Sequence, residues 1–555
     1  MSRKREHSSG DFLIQGSILA IASIVAKIIG LIYRVPLTNI LGDSGNSYYS
    51  TANEIYTLIL MISSFSLPLA ISRMMSERIA KGEYRNANRV FLCAMRFAVI
   101  FGGGASLLTY LFSGLLTKYV MNFELAKFGL RVIAPAILIF AITGTFRGYF
   151  QGFGTMVPTA VSQVIEQIIN AVVSIVCAGI MFRYGMELAA QEGNDLLGPA
   201  WGAAGATFGT VASVTVAMLF MMVMYSRQRR QMNKFMRSDT ESKMESDRMI
   251  YRVLVLTILP IIFSTLVYNI SNVVDQGIFN AVLKGQGYTE AQYSVIWGIY
   301  TGKFRVLMNV VLSLASSLGP AIVPSMTNLV IRDRRSRREA CNKISSAIRF
   351  TMIFSIPGAL GLAALGGPVI EMLFHPESGL PLSAGIIQAG APMIILYALS
   401  TLTTSILQGL GRLKDPLIHC CIALVIHIMA LYMMLTRTSL NIYAVIHANT
   451  LFALIVTILN ALAIRRMLGY RQEVLRTFVI PLAASAIMAF GSFGIYSLLH
   501  LVFGVSVSTV IAILAGVFIY SISLVALGGI SSSEILRLPK GRQILSFFER
   551  LGIIR

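Results

Sequence analysis

Apolar runs about 20 residues long recur along the whole chain, separated by short polar or basic stretches. A bilayer core needs about 20 apolar residues per helix, so the pattern predicts an all-α polytopic membrane protein. Fourteen spans are expected, roughly at 13–41, 48–73, 90–113, 127–147, 156–183, 199–225, 250–283, 294–330, 345–374, 383–409, 415–436, 441–464, 474–500 and 502–528. Several exceed the required length and must tilt, kink or protrude, with Pro36, Pro68, Pro135, Pro260 and Pro320 as kink points. After residue 531 apolar and basic residues alternate at helical spacing. An amphipathic helix on the inner membrane face and a solvated basic tail are both open there.

The order of the spans contains a repeat. QGFGTMVP (151–158) joins spans four and five, and QGLGRLKDP (408–416) joins spans ten and eleven. LPLAISRMMSERIAKGE ends span two and LGPAIVPSMTNLVIRDRR ends span eight, each before a basic loop. Six spans therefore repeat as six, with two added. An even count in each half gives both halves one orientation, a parallel repeat with the substrate site expected near the midplane. The expected division is an N-lobe over 1–226, a linker over 227–249, a C-lobe over 250–468, spans thirteen and fourteen over 469–530, and a basic tail over 531–555.

Composition agrees. Of 555 residues, 55% are hydrophobic and 13% charged, and the mean hydropathy is +0.72. In a soluble protein the net charge of +21 would point to nucleic acid. Here the basic clusters at 3–5, 73–89, 227–252, 332–349, 412–414, 465–476 and 537–555 all fall on one side of a fourteen-span topology. The positive-inside rule puts that side, and both termini, in the cytoplasm. An odd number of spans would break the alternation. The basic N-terminus precedes an apolar run with no small-residue cleavage site, which predicts a retained first helix. Five scattered cysteines form neither a metal spacing nor a disulfide framework.

Charges at membrane depth carry the functional reading. A basic residue there costs roughly 2.5–3.5 kcal/mol on insertion scales and usually faces a cavity or a partner. Lys27 and Arg34 are seven apart and share a helical face to within about 20°. Lys303 and Arg305 are about 200° apart on a helix, so Arg305, on a face with Met308 and Asn309, is the expected lining residue and Lys303 a lip or loop contact. Arg73 ends the second span beside a basic loop, where a simple inner-face anchor is the rival reading. Snorkelling of Arg34 to the headgroups, and pairing of Lys303 and Arg305 with lipid phosphate, are the corresponding rivals. Together these cations predict a positively charged chamber.

Two polar stripes accompany them. Ser162, Glu166 and Asn170 lie at i, i+4, i+8 in span five, with Gln163 beside them. Ser264, Tyr268, Ser271 and Asp275 repeat the pattern in span seven, next to Asn272. Glu166 is a chamber counter-ion, a proton site or the partner of a basic residue across the gap; helix–helix hydrogen bonding is the plainer account of both stripes. His419, His427 and His447 read as packed or helix-bonding residues, and Gly102–Gly104 as a close-packing point. No phosphate-binding loop, zinc-binding His pair or Ser/His/Asp signature occurs, which argues against an enzyme or an ATP-driven pump and implies no cofactor or metal.

RGYFQGFGTMVPTAVSQVIEQII (147–169), LPLAISRMMSERIAKGE (67–83) and TILPIIFSTLVYNISNVVDQ in span seven resemble the stage V sporulation protein B and YtgP branch of polysaccharide-biosynthesis transporters. That branch stands with the MurJ-type lipid II flippases in the exporter superfamily that also holds the MATE drug transporters. The resemblance implies two six-helix lobes working by alternating access, and a cationic cavity for the pyrophosphate and sugar of an undecaprenyl-linked precursor. It also implies a lipid-tail groove at spans thirteen and fourteen. The family's arginines in spans one, two and eight match Arg34, Arg73 and Arg305, with Lys27 where another cation is expected. Relatives with a sodium site use spans seven and eleven; Asp275 is available here, but span eleven offers His419 and His427 and no carboxylate. A coupling ion, Na+ or H+, stays open. A lipid II flippase of the bacterial cytoplasmic membrane is the leading expectation. A flippase for another lipid-linked oligosaccharide, a drug or cation antiporter, and a scaffold for a wall-synthesis complex are the alternatives.

Overall fold

The computed structural model describes residues 9–64, 66–239, 243–316, 334–375, 379–412, 414–530, 536 and 541–550. Those residues are helical nearly throughout, with no strand among them. By its internal contacts the chain divides into two units, Met1–Gly298 and Ile299–Arg555.

The first unit holds α1 (Ser9–Ile32), α2 (Arg34–Ser63), α3 (Leu67–Ala80), α4 (Tyr84–Phe97), α5 (Gly103–Leu115), α6 (Lys127–Ile133), α7 (Pro135–Gly152), α8 (Val157–Glu192), α9 (Leu197–Ser238), α10 (Asp247–Gly285) and most of α11 (Glu290–Ile299). The second holds α12 (Arg305–Ser316), α13 (Arg334–Phe374), α14 (Leu380–Gly409), α15 (Lys414–Arg437), α16 (Ile442–Leu468), α17 (Ile480–Leu499), α18 (Val505–Ala526) and α19 (Gly541–Arg550).

Twelve helical segments among the described residues are long and apolar enough to cross a membrane. Arg34–Ala80 counts as one of them and Asp247–Gly285, a helix of 39 residues, is not among them. The fold class is that of a multi-pass helical membrane protein, while the count of fourteen is not established. Pro320, the second half of span eight beyond residue 316, and most of the tail lie outside the described residues. Within the tail, Gly541–Arg550 is helical, with Arg542, Gln543, Ser546, Glu549 and Arg550 exposed.

The breaks in the helices have local causes. The first expected span is interrupted at Tyr33 and then ends at Gly42, whose φ of 64° and ψ of −177° belong to a region that only glycine occupies readily. Asn46 closes this reversal by donating to the carbonyls of Thr38 and Gly42 at 3.1 and 2.7 Å. Pro68 and Pro135 each sit in the first turn of a new helix, where a missing N–H costs nothing. Pro357, Pro368 and Pro392 lie inside helices that continue past them.

In the first unit α8 and α9 form the most extensive pairing, and α3 packs on α7. Gly148 and Gly152 of α7 permit that second contact: a Cβ at either would lie 2.8 Å from the Cβ of Ile71 or Met75. Gly102 packs equally closely on Ala141, whereas Gly104 faces open space, so only the first glycine of that run is a packing point. In the second unit α13, α14 and α16 enclose one apolar core, and α17 and α18 pair with each other and with α13.

The two QG-x-G turns share one backbone form. In the turn after α7, Gly154 has φ +76° and its N–H reaches the Gln151 carbonyl at 2.9 Å. In the turn after α14, Gly411 has φ +77° and bonds the Gln408 carbonyl at 3.0 Å.

Candidate functional site

The first unit gathers its intramembrane polar groups around the α1–α2 break, where the ladder is interrupted and side chains from α8 fill in. Ser23 donates to Gln163 at 3.3 Å, and Asn170 donates to the Tyr33 hydroxyl at 3.0 Å. Arg34 follows Tyr33 directly. It is half-buried, and its guanidinium lies 4.4 Å from the centre of the Tyr49 ring, a cation–π contact. Lys27, one side of the predicted pair, is exposed.

Glu166 has a partner that the sequence reading left unnamed. Arg147 of α7 donates to its carboxylate at 2.7 Å and to the Ser162 hydroxyl at 3.0 Å. The Arg147 side chain is 7% exposed and that of Glu166 17%. Of the three readings open for Glu166, this is the ion-paired one, and the pairing joins adjacent helices. Asn170 is likewise engaged, accepting from Ser174 at 3.0 Å. The signal was available in the sequence. Arg147 stands four residues before the QGFG turn and Ser162 four after its proline, so the two come to equal depth on antiparallel helices.

Arg73 is exposed on α3, while Arg78, one and a half turns on, is buried and forms a two-point ion pair with Glu245 at 2.6 and 3.0 Å. Helical phase separates them: five residues is about 140° around the axis. Arg78 was passed over because it sits in a basic loop that reads as solvated.

On α10, Asp275 is buried, and its neighbours tie the helix down. Gln276 donates to Thr51 at 2.5 Å and Asn280 to the Met121 carbonyl at 2.6 Å. Ser271 is buried one turn away, and the side chains of Ser264 and Tyr268 lie outside the described residues.

The second unit carries the other predicted cations. Residues 300–304 form a π-helical segment between α11 and α12, a distortion common at functional sites. Lys303 lies within it and is 3% exposed, so it is buried and not a lip residue. Arg305 begins α12 half-buried, and Asn309 is exposed. Both Lys303 and Arg305 are engaged by neighbouring groups. The histidines act as packed or bonding residues: His419 pairs with Asn460 at 2.7 Å and His427 packs edge-on against Phe452. His447 is exposed.

Charge compensation separates these groups. Arg147 and Arg78 are each met by a carboxylate. Among the described residues Arg34 has an aromatic face and no carboxylate. A half-buried guanidinium left in this state can take a phosphate in two-point geometry without first breaking an ion pair.

Comparison with known proteins agrees with this architecture. Lipid II flippase MurJ of Bacillus subtilis (strain 168) is 23% identical over 488 residues, 86% of this chain and 87% of that protein. Stage V sporulation protein B of the same organism is 23% identical over 530 residues, covering 95% and 98%. A solved structure of lipid II flippase MurJ in an inward closed conformation has a TM-score of 0.64 at 14% identity, over 91% of this chain and 97% of that one. An inward-facing multidrug resistance MATE family transporter of the MOP superfamily has a TM-score of 0.63 at 17% identity, over 80% and 94%. At such identities the two structures establish a shared fold. The family model described as polysaccharide biosynthesis protein matches residues 13–330, more than half of the sequence, and the chain belongs to that family.

Proposed function

We propose that this chain is a flippase that moves an undecaprenyl-pyrophosphate-linked cell-wall precursor, lipid II foremost, from the inner to the outer leaflet by alternating access. Lys27, Arg34, Arg73 and Arg305 supply the cationic path for the pyrophosphate, and the buried Lys303 adds positive charge to it. Asn170, Asn309, Glu166 and Asp275 supply polar contacts and internal counter-charge. The six-helix lobes at 1–226 and 250–468 are the moving parts, and residues 469–530 hold the lipid tail. Both termini lie in the cytoplasm, on the side of the basic loops.

The observation that carries the reading is Arg34, a guanidinium within an apolar span, held by Tyr49 and not neutralised by a carboxylate among the described residues. An antiporter of cationic drugs has no use for it. The driving force need not be chemical. A group with two negative charges moving outward across an inside-negative membrane runs down the potential and gains roughly 2.3 kcal/mol per charge per 100 mV. Membership of a polysaccharide biosynthesis family supports a second reading in which the cargo is another lipid-linked glycan of the same pyrophosphate chemistry.

Complementation of a bacterium depleted of its own lipid II flippase tests this, using the wild type, Arg34→Ala and Arg305→Ala with membrane levels measured for each. Rescue by the wild type and loss of rescue in Arg34→Ala is the expected result. A well-expressed wild type that fails moves the cargo to the second glycan. Full rescue by both arginine variants would overturn the cationic path.

A further inference from the structure

One cavity lies apart from the groups just described. It has a volume of about 750 Å³ and is formed in the first unit by the start of α4, the end of α9 and the segment leading into α10. Arg85, Arg89, Arg96 and Arg237 line it, against two carboxylates, Asp239 and Asp247. Asp247 is already committed: it accepts from Arg89 at 2.6 Å and from Arg96 at 3.2 Å. Asp239 accepts the backbone N–H of Arg85 at 2.8 Å. The side chains of Arg85 and Arg237 are exposed, and neither is ion-paired among the described residues. The cavity therefore holds four guanidinium groups against two carboxylates, and Arg85 and Arg237 are the two that form no ion pair among the described residues.

The rest of the wall indicates the source of the anion. Arg85, Arg89, Leu92 and Arg96 fall at i, i+4, i+7 and i+11 and form one stripe along α4. Leu92 lines the cavity and is 43% exposed. One to two turns above Arg96 the same continuous helix presents exposed Val99, Ile100 and Phe101. Charge thus gives way to exposed apolar surface within about 15 Å along the axis, which is the profile of a headgroup boundary. The described lining has no aromatic ring on which a nucleotide base could stack.

We propose that this cavity binds the phosphate of an anionic phospholipid at the membrane surface, with Arg85 and Arg237 as its principal ligands and the acyl chains along Leu92, Val99 and Ile100. Basic pockets between membrane helices on the side of the basic loops are suited to such headgroups. The site has a mechanical consequence. The segment that leads into α10 is pinned here by Arg78–Glu245, by Asn86 donating to the Lys243 carbonyl at 2.9 Å, and by Arg89–Asp247. A bound phosphate shares Arg89 and Arg96 with Asp247 and so links lipid composition to the hold on the segment that leads into α10.

The test uses the purified full-length chain in detergent and needs no transport assay. Thermal unfolding and binding are measured against phosphatidylglycerol, against phosphatidylcholine of the same chains, and against inorganic phosphate and ATP. Phosphatidylglycerol is expected to stabilise the wild type above phosphatidylcholine. Its affinity should fall about thirtyfold in R85Q/R237Q and about fivefold in either single variant. R227Q/R230Q, which removes two exposed arginines from α9 outside the cavity, should bind as the wild type. Equal weakening in both double variants would reduce the effect to bulk charge and overturn the site. Unchanged binding in R85Q/R237Q would do the same. Saturation by phosphate or ATP with no response to phosphatidylglycerol would assign the cavity to a soluble anion and overturn the lipid.

Discussion

The helix pairs joined by the two QG-x-G turns solve one packing problem with different chemistry. In each, polar side chains tie the pair together a short distance from the turn. In the first half the tie is ionic and spans two helices, Arg147 of α7 to Ser162 and Glu166 of α8. In the second half Thr404 stands where Arg147 does, four residues before the glutamine of the turn. It accepts from Asn460 of α16 at 3.0 Å, as Thr403 does at 3.1 Å, and the other end of Asn460 meets His419 of α15. Because the Asn460 amide nitrogen donates to two threonines, its oxygen is the acceptor, so Nδ1 of His419 carries the proton.

The third helix explains the difference. In the first half α9 lies so close to α8 that Gly205 and Gly209 meet the α8 backbone at Cys177 and Ser174. At those positions α9 carries no side chain; its Thr210 hydroxyl reaches Asn170 of α8 at a long 3.5 Å, and the short ties to Ser162 and Glu166 come from α7. In the second half α16 is far enough out for a fully buried asparagine to reach both neighbours. A neutral tie can be loosened cheaply, whereas a buried ion pair fails badly when one partner is lost. The contrast therefore predicts unequal sensitivity.

The largest effect belongs to Arg147. Arg147→Ala leaves Glu166 as an unpaired buried carboxylate and should cost about 3–5 kcal/mol. That loss is measured as a drop in thermal or denaturant stability of the detergent-solubilised protein. Replacing both partners together, Arg147→Met with Glu166→Leu, should recover most of it, since a buried pair exchanged for apolar groups is often close to neutral. If the single and double variants lose the same stability, the ionic character of the tie is irrelevant and the contrast collapses.

Asn460→Leu comes next. It strands the His419 N–H but leaves Thr403 with its own bond to the Leu399 carbonyl at 2.8 Å. The expected cost is about 1–3 kcal/mol, that of one unmet buried group. A loss as large as that of Arg147→Ala would show that the second half is tied as strongly as the first.

Much of this was legible in the chain. Period and length pointed to a multi-pass helical protein, and the two QG-x-G motifs to two like turns, because a positive-φ glycine leaves a mark in sequence that packing does not. Asn170 and Glu166 were visible as a stripe. The partner Arg147 was hidden only because it lies on a different helix, and pairings between helices depend on depth across a turn, which a linear pattern does not display. Lys303, expected at a lip or loop from regular α-geometry, is buried. The π-helical segment at 300–304 changes the phase of the residues within it. Arg78 and Arg73 show the same limit in reverse: composition marks both as inner-face cations, and only packing separates the exposed one from the ion-paired one.

The smallest effect is also the most direct test of the symmetry itself. A Cβ added at Gly154 or at Gly411 would meet nothing within 4 Å, so neither substitution clashes. What remains is the cost of holding alanine at φ near +76°, about 1 kcal/mol at each site. Gly154→Ala and Gly411→Ala should therefore destabilise equally, although one turn serves an ionic tie and the other a neutral one. Unequal losses would mean that the turns are coupled to the ties beyond them, with Gly154→Ala the worse if it shifts Arg147 relative to Glu166. Equal losses would separate the turn, which the repeat shares, from the tie, in which the two halves differ.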